Sequence, residues 1–92
     1  MIKSFGDTDT YDLFRGSGSN RWINIRCVAM RKLVMLDSAT RLDELRIPPS
    51  NRLKPLKGDR SGFHSIRVND QYRIVFVWKD GAPHGVTIVD YH

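Results

Sequence analysis

Hydrophobic side chains change their rhythm part-way along this chain, from a helical spacing before Phe63 to a two-residue alternation after it. From Arg21 to Asp37 the residues Trp22, Ile25, Ala29, Leu33 and Leu36 recur at three and four, with Arg21, Arg26, Arg31 and Lys32 largely off that line. That spacing predicts a long amphipathic helix, with Met30 and Met35 broadening its stripe as gap-filling core side chains. Before it, Tyr11 and Phe14 stand three apart behind caps at Asp7 and Thr8, which predicts a short helix over Asp7–Phe14. The Gly16–Asn20 stretch breaks that helix as a flexible loop; it follows no strand and lacks the lysine of a phosphate cradle. Ile2, Ser4 and Phe5 suit a short opening strand over Met1–Phe5. Thr40 is placed to cap a second, shorter helix through Leu42 and Leu45, with Asp43 and Glu44 in its first turn and Pro48-Pro49 as its stop.

Leu53–Leu56 reads as extended, and Lys57–Gly62 as a turn-rich polar link. Phe63, Ser65 and Arg67 then alternate with His64, Ile66 and Val68 in a strand, and Asn69-Asp70 makes a turn. Tyr72–Trp78 is rich in β-branched and aromatic residues, Lys79–Gly85 reads as a second turn, and Val86–Asp90 as a last strand. Helices first and a strand meander last predict an α+β fold, the N-terminal helices packed on one face of a small antiparallel sheet. No internal repeat is visible, and 92 residues suit one core, so 1–92 is expected to form a single domain.

A hydrophobic fraction of 40% and a charged fraction of 27% belong to a folded globular chain rather than a disordered one. No stretch approaches the ~18 apolar residues of a membrane span, and Met1–Phe14 lacks the apolar segment of a signal peptide. A cytoplasmic location without a membrane partner is therefore expected. Cys27 is the only cysteine, which rules out an internal disulfide. Its place between Arg26 and Val28 suggests a half-buried filler rather than a nucleophile.

The net charge of +5 points to polyanionic partners, and its distribution sharpens the point. Between Arg52 and Lys79 the bases Arg52, Lys54, Lys57, Arg60, Arg67, Arg73 and Lys79 face only Asp59 and Asp70 as acids, among Phe63, Tyr72, Phe76 and Trp78. Bases interleaved with aromatics suit nucleic acid, although a solvated basic face over core aromatics accounts for the same residues equally well. His64, His84 and His92 lack metal-ligand spacing and no cysteine cluster exists, so neither a metal nor a cofactor is expected. His64 reads as a satisfied strand histidine and His84 as a solvated turn residue.

The ending Tyr91-His92 has more chemistry in it. It continues a strand whose neighbour carries Arg73, and a meander can bring Arg73, Lys57, Asp90, Tyr91 and His92 to one face. That set suits metal-free RNA cleavage by the RNA's own 2′-hydroxyl, which needs a base for that hydroxyl, cations for the phosphorane and an acid for the leaving 5′-oxygen. Arg73 and Lys57 supply charge and His92 moves the proton. The α-carboxylate expected beside the His92 imidazole favours its protonated form.

Leu56-Lys57-Gly58-Asp59-Arg60, Ser65-Ile66-Arg67-Val68-Asn69-Asp70-Gln71-Tyr72-Arg73-Ile74 and the closing Asp90-Tyr91-His92 together resemble the HigB toxins of the RelE/ParE toxin–antitoxin superfamily. Met1-Ile2-Lys3-Ser4-Phe5 and Leu36-Asp37-Ser38-Ala39-Thr40 extend the resemblance over essentially the whole chain. It implies a microbial RNase fold and ribosome-dependent cleavage of messenger RNA in the decoding site of the 30S subunit, restrained by an antitoxin with a helix-turn-helix domain. By position it implies that Lys57 and Arg73 stabilise the phosphate, Asp90 and Tyr91 orient or stack the nucleotide, and His92 transfers the proton. Arg52, Lys54, Arg60, Arg67 and Gln71 are the candidates for holding RNA. Lys54 stands where some ribosome-dependent relatives have a histidine, which removes one acid–base group. Two other classes fit less: a ParE-like inhibitor of DNA gyrase, which needs no Tyr91-His92 end, and a non-catalytic RNA-binding domain. If the Arg52–Lys79 bases carry a polyanion, ribosome binding should weaken steeply as salt rises, because phosphate neutralisation releases counterions. Binding measured across a salt series checks this, and a flat response would exclude it.

Overall fold

A computed structural model of the chain describes residues 1–17 and 22–90. Helix α1 covers Thr8–Phe14, and Asp7 caps it by accepting from the Thr10 amide at 2.9 Å. Helix α2 covers Arg26–Ser38, so the predicted helix from Arg21 starts later than its hydrophobic stripe does. Trp22–Ile25 is a turn instead, closed by the Ile25 amide on the Trp22 carbonyl at 3.0 Å; Arg21 lies outside the described residues. All five stripe residues are nevertheless buried, because a turn and a helix can present them to the same core.

Cys27 is exposed, not half-buried as expected. Two residues before the fully buried Ala29, it lies on the far side of the helix from the core. The second helix is a 3₁₀ turn, Leu42–Arg46, and its cap works in reverse of the expectation. Thr40 does not cap it; the Glu44 carboxylate reaches back to accept from the Thr40 amide at 2.7 Å and the Arg41 amide at 3.3 Å. Those bonds hold the Glu44 pKa below its ordinary value. A further 3₁₀ turn, Pro49–Asn51, follows the proline pair.

Strands β1 (Lys54–Pro55), β2 (Phe63–Arg67), β3 (Tyr72–Lys79) and β4 (Ala82–Asp90) form one antiparallel sheet in that order. The β2–β3 turn is held by Asn69, whose side-chain oxygen accepts from the Gln71 and Tyr72 amides at 2.9 and 2.8 Å. The β3–β4 turn is only Asp80-Gly81, both at positive φ (54° and 74°), the two-residue geometry that matches strand twist. Ala82–Gly85, expected to be turn, therefore belongs to β4. Pro83 is tolerated because β4 is an edge strand whose proline carbonyl still accepts from the Lys3 amide at 2.9 Å. A register shift against Val75–Val77 absorbs Gly85.

The expected opening strand is reduced to one parallel bridge, Phe5 to Val86, backed by hydrogen bonds from Gly6 to the Val86 carbonyl and from Val86 to the Ser4 carbonyl. It covers the outer edge of β4. Helices and sheet meet in one core in which Leu33, Leu36, Leu45, Ile66, Ile74, Phe76 and Val86 are fully buried. Ile66, Ile74, Phe76, Val86 and Ile88 face the helices, as the predicted architecture requires. No helix among the described residues is long and apolar enough to cross a membrane.

Gly6 passes so close to β4 that a Cβ there would lie 1.9 Å from the Thr87 hydroxyl oxygen. Gly6→Ala should therefore destabilise the fold by about 1–3 kcal/mol, as overpacking does. Urea unfolding of the variant checks this; an unchanged midpoint would mean that the opening segment does not stay on β4.

Candidate active site

Strand β3 divides its side chains between two faces, and only one of them meets the helices. Tyr72, Ile74, Phe76 and Trp78 pack on the core, so Arg73, Val75 and Val77 point away from the helices. Arg73 is only 7% exposed. A buried guanidinium must have its N–H groups paired, and here Nε donates to Ser65 Oγ at 2.9 Å and Nη2 to the Arg52 carbonyl at 2.8 Å. Ser65 is fully buried, and the register that sets Ser65 opposite Val75 and Arg67 opposite Arg73 puts all of them on this face. Arg52 reaches Arg73 through its backbone, held in the left-handed region at φ 47°, while its own side chain belongs to an exposed residue.

Lys54 pairs in register with Ser65, which links this face to the next feature. Lys54, Pro55, Leu56, Lys57 and Arg60 line a cavity of about 420 Å³, three bases around an apolar floor. Lys57 is exposed at the start of the 3₁₀ turn Gly58–Arg60. Arg67 pairs with the exposed Asp70.

Asp90 does not join that face. It is the register partner of Tyr72, on the helix side, and accepts from the Gln71 side-chain amide at 3.1 Å. The expected single face for Arg73, Lys57, Asp90, Tyr91 and His92 is corrected to that extent, because one residue along a strand reverses the side. Gln71 thus holds the end of β4, its amide also donating to the Tyr72 hydroxyl at 3.2 Å. Tyr91 and His92 lie outside the described residues. Among the described residues no three His, Cys, Asp or Glu side chains gather as a metal site.

The other two histidines behave differently from expectation. His84 sits in β4, half-buried, with Nε2 against the Lys79 carbonyl at 3.1 Å, and is not a solvated turn residue. His64 is in β2 stacked on Phe76, but its buried Nδ1 has no hydrogen-bond partner among the described residues, so it is not the satisfied histidine expected. Sequence reasoning also passed over Ser65 and the Arg52 carbonyl. Ser65 was visible as a small polar residue on the Arg73 side of the alternation; a backbone acceptor leaves no trace in residue identity.

The family described as RelE-like toxin of type II toxin-antitoxin system HigB matches residues 3–92. The chain belongs to this HigB-like toxin family. It is 50% identical over 59 residues to Toxin HigB-1 of Vibrio cholerae, covering 64% of this chain and 62% of that protein. It is 39% identical over 61 residues to Endoribonuclease HigB of Proteus vulgaris, covering 66% of this chain and 65% of that one. The match thus spans somewhat less than two thirds of each curated relative. Among solved structures, the YoeB–YefM complex from Staphylococcus aureus aligns with a TM-score of 0.63 at 14% identity, over 100% of this chain and 98% of that one. A YafQ mutant from E. coli aligns with a TM-score of 0.64, also at 14% identity, over 98% and 91%. These likenesses show that the HigB-like chain has the fold of the RelE-type toxins.

Burial, followed by the Arg46 cation, lowers the His64 pKa from its ordinary value. The unfolded chain therefore takes up this proton more readily than the folded one, so the contribution of neutral His64 is complete above pH ~6.5 and is lost as pH falls through the lowered pKa. Stability measured from pH 7 to pH 5 should fall in the native protein and fall less in His64→Phe. Equal pH slopes would remove His64 as the titrating group.

Proposed function

We propose that this HigB-like toxin is an endoribonuclease that cuts messenger RNA in the decoding site of the 30S subunit, by attack of the RNA's 2′-hydroxyl and without a metal. The observation that carries the proposal is Arg73, a buried cation fixed on the sheet face away from the helices by Ser65, whose register partner Lys54 lines a basic cavity with Lys57 and Arg60. Membership of the HigB-like family and likeness to a protein named Endoribonuclease HigB support it.

Attack of the 2′-hydroxyl on the adjacent phosphorus gathers negative charge on the non-bridging oxygens. A guanidinium already held in place stabilises that charge without reorganising. Arg73 fills this role and Lys57 adds a second cation from the cavity rim. The attacking 2′-hydroxyl gives its proton to solvent water as the P–O2′ bond forms, protonated His92 gives a proton to the leaving 5′-oxygen as the P–O5′ bond breaks, and Tyr91 stacks the nucleotide. Asp90, tied to Gln71, fixes the end of β4 from which these two residues extend. Arg52, Lys54, Arg60 and Arg67 attract the phosphate backbone, and Gln71 acts through Asp90. The partner in the cell is an antitoxin with a helix-turn-helix domain; the similar fold of YoeB was solved in complex with YefM.

The test is cleavage of a defined messenger RNA with and without ribosomes. Cuts should appear only with ribosomes, end in a 2′,3′-cyclic phosphate, and vanish when the nucleotide at the cut carries a 2′-deoxyribose. Arg73→Ala should slow cleavage about a hundredfold or more, the scale of losing one preorganised donor, and His92→Ala should abolish it, both in folded protein. Gyrase inhibition with no RNA cut, or full cleavage by Arg73→Ala, would overturn the proposal.

A further inference from the structure

Asn51 is completely buried at the end of a polar turn, an expensive place for an amide unless every group is paired. Its Nδ2 donates to the Leu45 carbonyl at 3.1 Å and the Ile47 carbonyl at 3.5 Å, and lies 3.1 Å from Met35 Sδ. Its Oδ1 accepts from Lys32 Nζ on α2. One side chain therefore ties the 3₁₀ turn Leu42–Arg46, the Ile47–Pro48 segment and the long helix together. The very next residue, Arg52, has φ 47° and ψ 51°, a left-handed conformation uncommon outside glycine. That backbone carries the carbonyl on which Arg73 Nη2 rests.

We propose that Asn51 and Lys32 are positioning residues for Arg73: they lock the turn that aims the Arg52 carbonyl at its guanidinium. The chain of contact runs from α2 through Lys32, Asn51 and the Arg52 carbonyl to Arg73, with Ser65 fixing the other side of the guanidinium. Lys32 is drawn inward far enough that burial, and then the Arg31 and Arg67 cations, lower its pKa. The helix layer, on the opposite side of the sheet from Arg73, thereby sets where the cation stands. The effect on cleavage rests on the RNA-cutting role proposed above; the coupling of Asn51 to the Arg73 guanidinium does not.

Asn51→Ala strips the turn of its partners and endangers folding, so two gentler perturbations decide the matter. Arg52→Gly and Arg52→Val both remove the guanidinium, but glycine accepts a φ of 47° and a β-branched residue resists it. Cleavage by the valine protein should be roughly tenfold to a hundredfold slower than by the glycine protein, the scale of a misplaced catalytic group, with KM alike. Lys32→Met should lower kcat about tenfold with KM unchanged, and Lys32→Arg, which keeps a donor for Asn51, should restore most of it. Independently of activity, the Nε–H proton resonance of Arg73 should shift and exchange faster with water in Lys32→Met than in the native protein. An unmoved Arg73 resonance, or equal kcat for Arg52→Gly and Arg52→Val, would overturn the inference while leaving Arg73 in its role. If the native protein cuts no RNA, the cleavage role falls and the resonance alone decides the coupling.

Discussion

Successive residues of β3 must point to opposite sides of the sheet, and this protein puts an arginine and an isoleucine next to each other there, Arg73 at 7% exposure and Ile74 at 0%. Everything else is arranged around satisfying both. Ile74 and Phe76 share one buried core with Ala29, Leu33 and Leu36 of α2, the hydrophobic half of the fold. Arg73 then lies on the other side with its guanidinium out of bulk water, a costly arrangement that holds only if its N–H groups find oxygen. Ser65 and the Arg52 carbonyl provide that oxygen from two separate parts of the chain.

Two kinds of base result, and they suit different work. Arg73 is held by fixed partners, so its guanidinium has little freedom to reorient, as the proposed role requires. Lys54, Lys57 and Arg60 are exposed around an open cavity. Exposed cations of that kind suit the attraction of a polyanion proposed above, with little demand on geometry. Arg67, bonded to the exposed Asp70, belongs with this second group, since a solvent-exposed pair adds little stability. Gln71 and Asp90 add a third element, a tie between the β2–β3 turn and the end of β4.

The N-terminal residues serve the same plan from the edge. Lys3–Gly6 pairs with β4, so the outermost strand does not offer an open row of backbone groups, and the missing side chain of Gly6 lets the two backbones approach. Thr10, fully buried in α1, accepts from the Ile88 amide at 3.0 Å and joins the short helix to the same strand. β4 is therefore held along its length by β3 on one side and by the opening segment and α1 on the other.

Periodicity alone disclosed the layers, because burying one side of a helix or strand requires apolar residues at that element's own repeat: Trp22, Ile25, Ala29, Leu33 and Leu36 for the helix, Ile66, Val68, Ile74 and Phe76 for the strands. The excess of bases from Arg52 to Lys79 and the choice of Arg73 as a central cation were equally visible in residue identities. Local signals failed where tertiary contacts outweighed them. Pro83 and Gly85 look like turn residues, yet an edge strand with a register shift accommodates both. Thr40 looks like a cap, yet the Glu44 carboxylate reaches the free amides first. Asp90 looked like a companion of Arg73, and only the register opposite Tyr72 put it on the other side. The Arg52 carbonyl and buried Asn51 had no signature at all, since a backbone acceptor is common to every residue and an asparagine's partners are chosen by the fold. The sequence by itself determined which faces are apolar and which segment is basic, through side-chain chemistry and its spacing. The tertiary structure alone decided which backbone groups hold Arg73, because hydrogen bonds between Arg52, Ser65 and Arg73 exist only once register and turn have brought them within reach.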